Sequence, residues 1–175
     1  MCDLILPAEK DQMIRLNAGQ KVFLTGTVAT ARDAAHKLMF DTGLTPFDLK
    51  NIPVFYTGMS QAPPGFPCGS CGPTTSSRME PFIPEMLRRG MRIAIGKGDM
   101  SHETRELFME HGAVYLAAVG GAGALTATVV ETRKVIAWDY LGPEAVCLLN
   151  LRRLPVFVAW DMHGNNIFQN HRRDL

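Results

Sequence analysis

At 175 residues, 46% of them hydrophobic, the chain is expected to form one domain, 1–175, around a single sizeable core. Its 18 basic and 17 acidic residues are scattered and leave a formal charge of +1, which argues against a broad surface for nucleic acid or an anionic membrane. The longest strongly apolar run, 113–125, is broken by Gly120, Gly121 and Gly123 and falls short of the roughly 20 residues that cross a bilayer. The opening Met1-Cys2-Asp3-Leu4-Ile5-Leu6 lacks the pattern of a secretory signal, so the expected location is the cytoplasm.

Short apolar runs alternate with helical stretches punctuated by Gly and Pro, an α/β pattern. Residues 21–28 read as a strand. Thr30-Ala31-Arg32-Asp33 then offers a capping hydroxyl with an acid three positions on, and the helix it opens is expected to end near Gly43. A second strand is expected over 53–57, followed by a long turn-rich loop over 58–73, of a length usually reserved for binding or closure. A helix through 85–89 stops at Gly90, a short strand over 92–95 runs into Gly96-Lys97-Gly98, and Ser101 caps a helix reaching Gly112. Further strands are expected over 113–119, 135–139 and 156–160. The stretch 142–154 fits helix or strand, and 165–175 reads as frayed or partner-bound.

Three cations share one placement: Arg32 in a first helical turn after a strand, Arg78 at or just before another, and Lys97 just past a strand end. Ligands of open α/β sheets bind beyond the carboxyl ends of the strands, where helix N-termini add donors. Two arginine forks and a lysine charge suit a small dicarboxylate, although each cation taken alone fits an ordinary surface ion pair. Gly72-Pro73-Thr74-Thr75-Ser76-Ser77-Arg78-Met79 places four hydroxyls before an arginine where a helix cap needs only one. A threonine base would need an activating neighbour, and none is evident locally. His36, one helical turn after Arg32, fits either a role at this site or a helix surface.

Cys68-Gly-Ser-Cys71 has redox or zinc spacing but lacks a second ligand pair. Two incidental thiols are the favoured reading. Gly120-Gly121-Ala122-Gly123 matches no phosphate-binding spacing and reads as a place of close backbone packing.

Four segments in order, Thr30-Ala31-Arg32-Asp33-Ala34-Ala35-His36-Lys37, the 72–79 motif, Ile95-Gly96-Lys97-Gly98 and Ala118-Val119-Gly120-Gly121-Ala122, resemble the beta subunit of class I fumarases and of L-tartrate dehydratase. The resemblance spans roughly 19–165 and includes Ala137-Trp138-Asp139-Tyr140-Leu141-Gly142-Pro143-Glu144-Ala145. It implies a swivelling three-layer β/β/α domain. It also implies a [4Fe–4S] cluster held by three cysteines of a separate alpha subunit, with no metal ligand from this chain, and a two-alpha, two-beta assembly. In that scheme Arg32, Arg78 and Lys97 hold substrate carboxylates, with weaker roles for His36 and Thr75, and Thr74 is the base at C3 of malate. The implied reaction is reversible hydration of fumarate to L-malate, active only with the alpha subunit. Tartrate dehydration, a non-catalytic dicarboxylate-binding module and a thiol redox protein are the rival readings. Two departures stand out: Cys68-Gly69-Ser70-Cys71 where many relatives carry Gly-Pro-Ala, and Trp138-Asp139-Tyr140 where they often carry Phe-Glu-Asp.

Overall fold

Side chains alternate along the strands toward two different cores, and this sorting organises the chain. The computed structural model describes residues 2–169. Its elements are β1 (Cys2–Ile5), α1 (Lys10–Met13), β2 (Lys21–Thr30), α2 (Asp33–Thr42), β3 (Val54–Phe55), β4 (Thr57–Met59) and β5 (Cys71–Pro73), followed by a 3-10 turn over Ser76–Met79. Then come α3 (Ile83–Arg88), β6 (Ile93–Gly96), α4 (His102–Glu110), β7 (Val114–Ala118), α5 (Gly123–Thr128) and β8 (Val130–Ala137), a second 3-10 stretch over Asp139–Glu144, and β9 (Val146–Trp160).

The result is a small α/β domain with a mixed sheet. β1, β3, β6 and β7 run parallel with their neighbours in the order β1-β2-β3-β6-β7, whereas β9 is antiparallel to β7, β8 and β2. Because the long β9 pairs with both β7 and β2, the chain of pairings β2-β3-β6-β7-β9 returns to its start. Val22, Leu24, Val28, Ile93, Ile95, Val114, Leu116, Leu149 and Val156 meet in one core bounded by strands. Their alternates Ala94, Tyr115 and Ala159 face a second core against Met39 of α2, Met86 of α3 and Phe108 of α4. Trp160 is fully buried there, edge-on to Phe108 at 5.5 Å and Tyr115 at 5.1 Å between ring centres. Burying each such ring contributes roughly 1.5–3 kcal/mol.

Several expectations need correction. Thr30 does not cap α2. Strand β2 continues through it, and its hydroxyl donates to Ala145 O (3.3 Å) and accepts from Cys147 N (3.0 Å), tying β2 to the start of β9. Arg32 is the N-cap residue instead, while Gly43 ends the helix in the left-handed conformation as expected. The 53–57 strand divides at Tyr56, and the 58–73 loop contains a hairpin in which Thr57, Gly58 and Met59 pair with Pro73, Gly72 and Cys71. The ambiguous 142–154 stretch resolves into strand from Val146 onward. Ser101 does cap α4, its hydroxyl accepting from Thr104 N at 3.2 Å. Of the expected C-terminal tail, Asn166 bridges Trp160 and Ile167 N bonds Ala159 O, while 170–175 lie outside the described residues. No described helix is long and apolar enough to cross a membrane.

Candidate active site

Four neighbouring strands end along one edge of the sheet. The parallel directions of β2, β3, β6 and β7 put their carboxyl ends side by side, so the chain emerges there at Arg32, Tyr56, Lys97 and Gly120. The β4–β5 hairpin then brings residues 74–76 back to this edge. Thr74 N donates to Tyr56 O (2.7 Å), Lys97 N donates to Thr74 O (3.3 Å), and Ser76 N donates to Lys97 O (3.0 Å). Thr75 and Lys97 form a parallel bridge. Thr74 is thus held by its main chain between two neighbours, with its side chain half-buried and carrying no structural hydrogen bond among the described residues.

The four consecutive hydroxyls divide their labour. Ser76 is buried and bonds Tyr115 OH at 2.8 Å; because the tyrosine proton goes to Gly98 O (2.8 Å), Ser76 is the donor. A Cβ on Gly96 would lie 2.0 Å from Ser76 Oγ, so glycine is required for this approach. Thr75, N-cap of the 3-10 turn, makes no side-chain cap bond, and Thr75 and Ser77 are exposed. Arg78 therefore stands in a four-residue 3-10 turn and not at an α-helix N-terminus, since α3 begins only at Ile83. Its guanidinium pairs with Asp33, the first residue of α2.

Arg32 lies over Gly58, with Nη1 2.8 Å from where a Cβ would stand, and its Nη2 is 3.6 Å from Glu144 Oε1. Glu144 also accepts from Ala34 N at 3.1 Å. That carboxylate occupies one of the α2 donors expected to be open to an anion. The Nε of Arg32 is buried and has no acceptor among the described residues. Lys97 forms no ion pair among them, and its stem passes Gly120, with Cδ 3.6 Å from the position of a Cβ there. Asp33 and Glu144, which pair with Arg78 and Arg32, were the contacts hardest to recognise in sequence. Both lie in the matching segments as ordinary acids, and only the fold turns one toward Arg78 and the other toward Arg32.

His36 is fully buried, which corrects the helix-surface reading. Its ring sits edge-on to Tyr56 (5.4 Å between ring centres) and stacks on Phe82 (5.8 Å). Nδ1 lies 2.9 Å from Arg32 O, which also accepts His36 N at 2.8 Å. A carbonyl can only accept, so Nδ1 carries the proton. Burial pushes the imidazole pKa down to about 4, against smaller opposing effects from the Arg32 carbonyl and Asp33.

Cys68 and Cys71 are buried, and burial raises both thiols, Cys71 to about 11, the opposite of what a reactive redox pair needs. Among the described residues no three His, Cys, Asp or Glu side chains are grouped to hold a metal, so these residues do not fit an iron–sulfur cluster. Of the glycine run, Gly123 serves close packing, since a Cβ there would meet Ser70 Oγ at 2.4 Å and Gly72 N at 3.1 Å, whereas nothing stands within 4 Å of a Cβ on Gly121.

With this geometry in view, the relatives are informative. The family model described as Fumarase C-terminus matches residues 2–171. A putative L(+)-tartrate dehydratase subunit beta from Methanocaldococcus jannaschii is 37% identical over 170 residues, covering 91% of this chain and 87% of that protein. The anaerobic class I fumarate hydratase of Escherichia coli is 33% identical over 165 residues, covering 90% of this chain but 30% of its own length. Fumarate hydratase 2 of Leishmania major is 33% identical over 174 residues, with coverages of 95% and 31%. The chain therefore spans about a third of the length of these fumarate hydratases. By the extent of the family match and the near full-length similarity to a beta subunit, this chain belongs to the fumarase C-terminus family.

Proposed function

We propose that this chain supplies the carboxylate-binding and proton-transferring half of a hydro-lyase that interconverts fumarate and L-malate. The observation that carries the reading is the backbone ladder at the sheet edge, which holds Thr74 between Tyr56 and Lys97 beside the Arg32 and Arg78 segments. The two arginines are held in place by Glu144 and Asp33, so their forks are oriented before a substrate carboxylate arrives. Lys97, without a carboxylate partner among the described residues, is the cation most open to substrate. In the malate-to-fumarate direction Thr74, ionised to its alkoxide, takes the proton from C3 and becomes the neutral hydroxyl, the C–H electron pair forms the C2=C3 bond and hydroxide leaves C2; in hydration the hydroxyl returns that proton. A threonine serves as base only in a strongly polarised setting, and Lys97, its main-chain neighbour in the ladder, is the cation proposed to contribute to it.

The chemistry at the C2 hydroxyl falls to a [4Fe–4S] cluster on a separate alpha subunit, and the chain is active only in that company. The remaining parts of the proposal are a swivelling three-layer β/β/α fold over 1–175, a cytoplasmic location and two copies of each subunit. The two-core arrangement of strands and helices supports the first of these. A second reading, the beta subunit of an L-tartrate dehydratase, is favoured by one observation: the tartrate dehydratase relative matches along 87% of its length.

Kinetics of two variants in the assembled enzyme test the role assignment. Thr74→Ala is expected to lower kcat by about 100-fold or more with little change in KM, within the range of general acid–base contributions. Arg78→Ala is expected to raise KM as well, by about 10-fold, through lost ground-state binding. Equal small effects from both would contradict the assignment.

A further inference from the structure

We infer that His36 is a positioning residue that joins the carboxylate-binding Arg32 to the Thr74 segment through one buried ring. The inference rests on the proposed roles of Arg32 and Thr74 and adds a residue to them. On one side, the His36 Nδ1–H and backbone N–H converge on the Arg32 carbonyl at 2.9 and 2.8 Å, fixing the residue from which the guanidinium projects over Gly58. On the other side, the imidazole packs edge-on against Tyr56, the residue whose carbonyl holds Thr74 N and whose N–H bonds Ile95 O at 2.8 Å. Phe82 closes the far face of the ring. The imidazole therefore does two separable jobs. Its N–H acts on Arg32, and its aromatic volume acts on Tyr56 and through it on Thr74.

The two jobs call for different substitutions. His36→Phe keeps a ring between Tyr56 and Phe82 but loses the donor to Arg32 O. His36→Asn places an amide N–H where Nδ1 stood but removes the ring. In the complex with the cluster-bearing subunit, His36→Phe is expected to raise KM for L-malate about 10-fold with kcat within about 3-fold of wild type, and His36→Asn to do the reverse. On an Arg32→Ala background, His36→Phe should raise KM no further, because residues acting through one group are non-additive. Parallel changes in kcat and KM for both variants, or additivity with Arg32→Ala, would overturn the inference.

A measurement on the unmutated protein stands beside these. Nitrogen-15 spectra of the histidine-labelled protein are expected to show His36 protonated at Nδ1 and bare at Nε2, unchanged between about pH 6 and about pH 8. The opposite tautomer, or a doubly protonated ring, would also overturn the inference. If Arg32→Ala alone left KM for L-malate unchanged, the dicarboxylate role of Arg32 would fail, and the spectra would still decide how His36 is held.

Discussion

His36 enters the core uncharged, and this couples folding to pH in a definite direction. The ordinary histidine pKa of 6.5 falls to about 4 in the folded chain, with burial as the main cause. Asp33 is the carboxylate that acts on it, and the neighbouring rings are those of Tyr56 and Phe82. Between those two values the unfolded chain holds a proton that the folded chain does not. This contribution is therefore complete above about pH 6.5 and is lost as pH falls toward 4, with a slope of at most about 1.4 kcal/mol per pH unit. Urea unfolding at about pH 7 and about pH 5 should show the decline, and His36→Phe should flatten it by about one proton. A variant with the same pH slope as wild type would contradict this account. Local reading placed His36 one turn from Arg32, but not under it. The ring's burial depends on Tyr56 and Phe82, 20 and 46 residues away in sequence, and spacing along one helix carries no such information.

Among the elements, the short ladder formed by residues 74–76 and Lys97 depends on how closely the 3-10 turn can approach β6. Gly96 permits that approach. A methyl group there would stand 2.0 Å from Ser76 Oγ and 2.9 Å from Tyr56 Cδ2, and Ser76 is further fixed by Tyr115. Gly96→Ala is therefore expected to cost about 1–3 kcal/mol, the usual range for overpacking, and to depress kcat by displacing Thr74. A lowered urea midpoint at unchanged slope, with reduced turnover in the assembled enzyme, is the expected pair of results; unaltered stability would show that the strand edge gives way freely. Elements with local punctuation were legible in advance, including the Gly43 stop of α2, the Gly90 stop after α3 and the Ser101 cap of α4. Those set by distant partners were not. Thr30 looked like a helix cap because its preceding strand was read too short, whereas its hydroxyl serves Ala145 and Cys147 over a hundred residues away. The β4–β5 hairpin was hidden because strands of three residues are too short to display a period.

Across the whole molecule, the edge where β2, β3, β6 and β7 end brings the Arg32 and Lys97 positions beside a held threonine. Arg32 and Lys97 were legible as neighbours because each follows a strand and parallel neighbours place such positions together, whereas Arg78 reaches this edge only through the 3-10 turn after the β4–β5 hairpin. The carboxylate partners were not legible, since Glu144 reaches α2 from a 3-10 stretch more than a hundred residues later. In the proposed scheme this edge holds and deprotonates a dicarboxylate and a separate alpha subunit acts on the departing hydroxyl; the chain itself spans about a third of the length of its fumarate hydratase relatives. The most direct test is anaerobic co-purification of this chain with a three-cysteine, cluster-bearing alpha subunit, followed by assay on fumarate, L-malate and L-tartrate. The account predicts reversible hydration of fumarate by the complex and none by either chain alone. A complex that carries its cluster yet turns over none of the three substrates would contradict it.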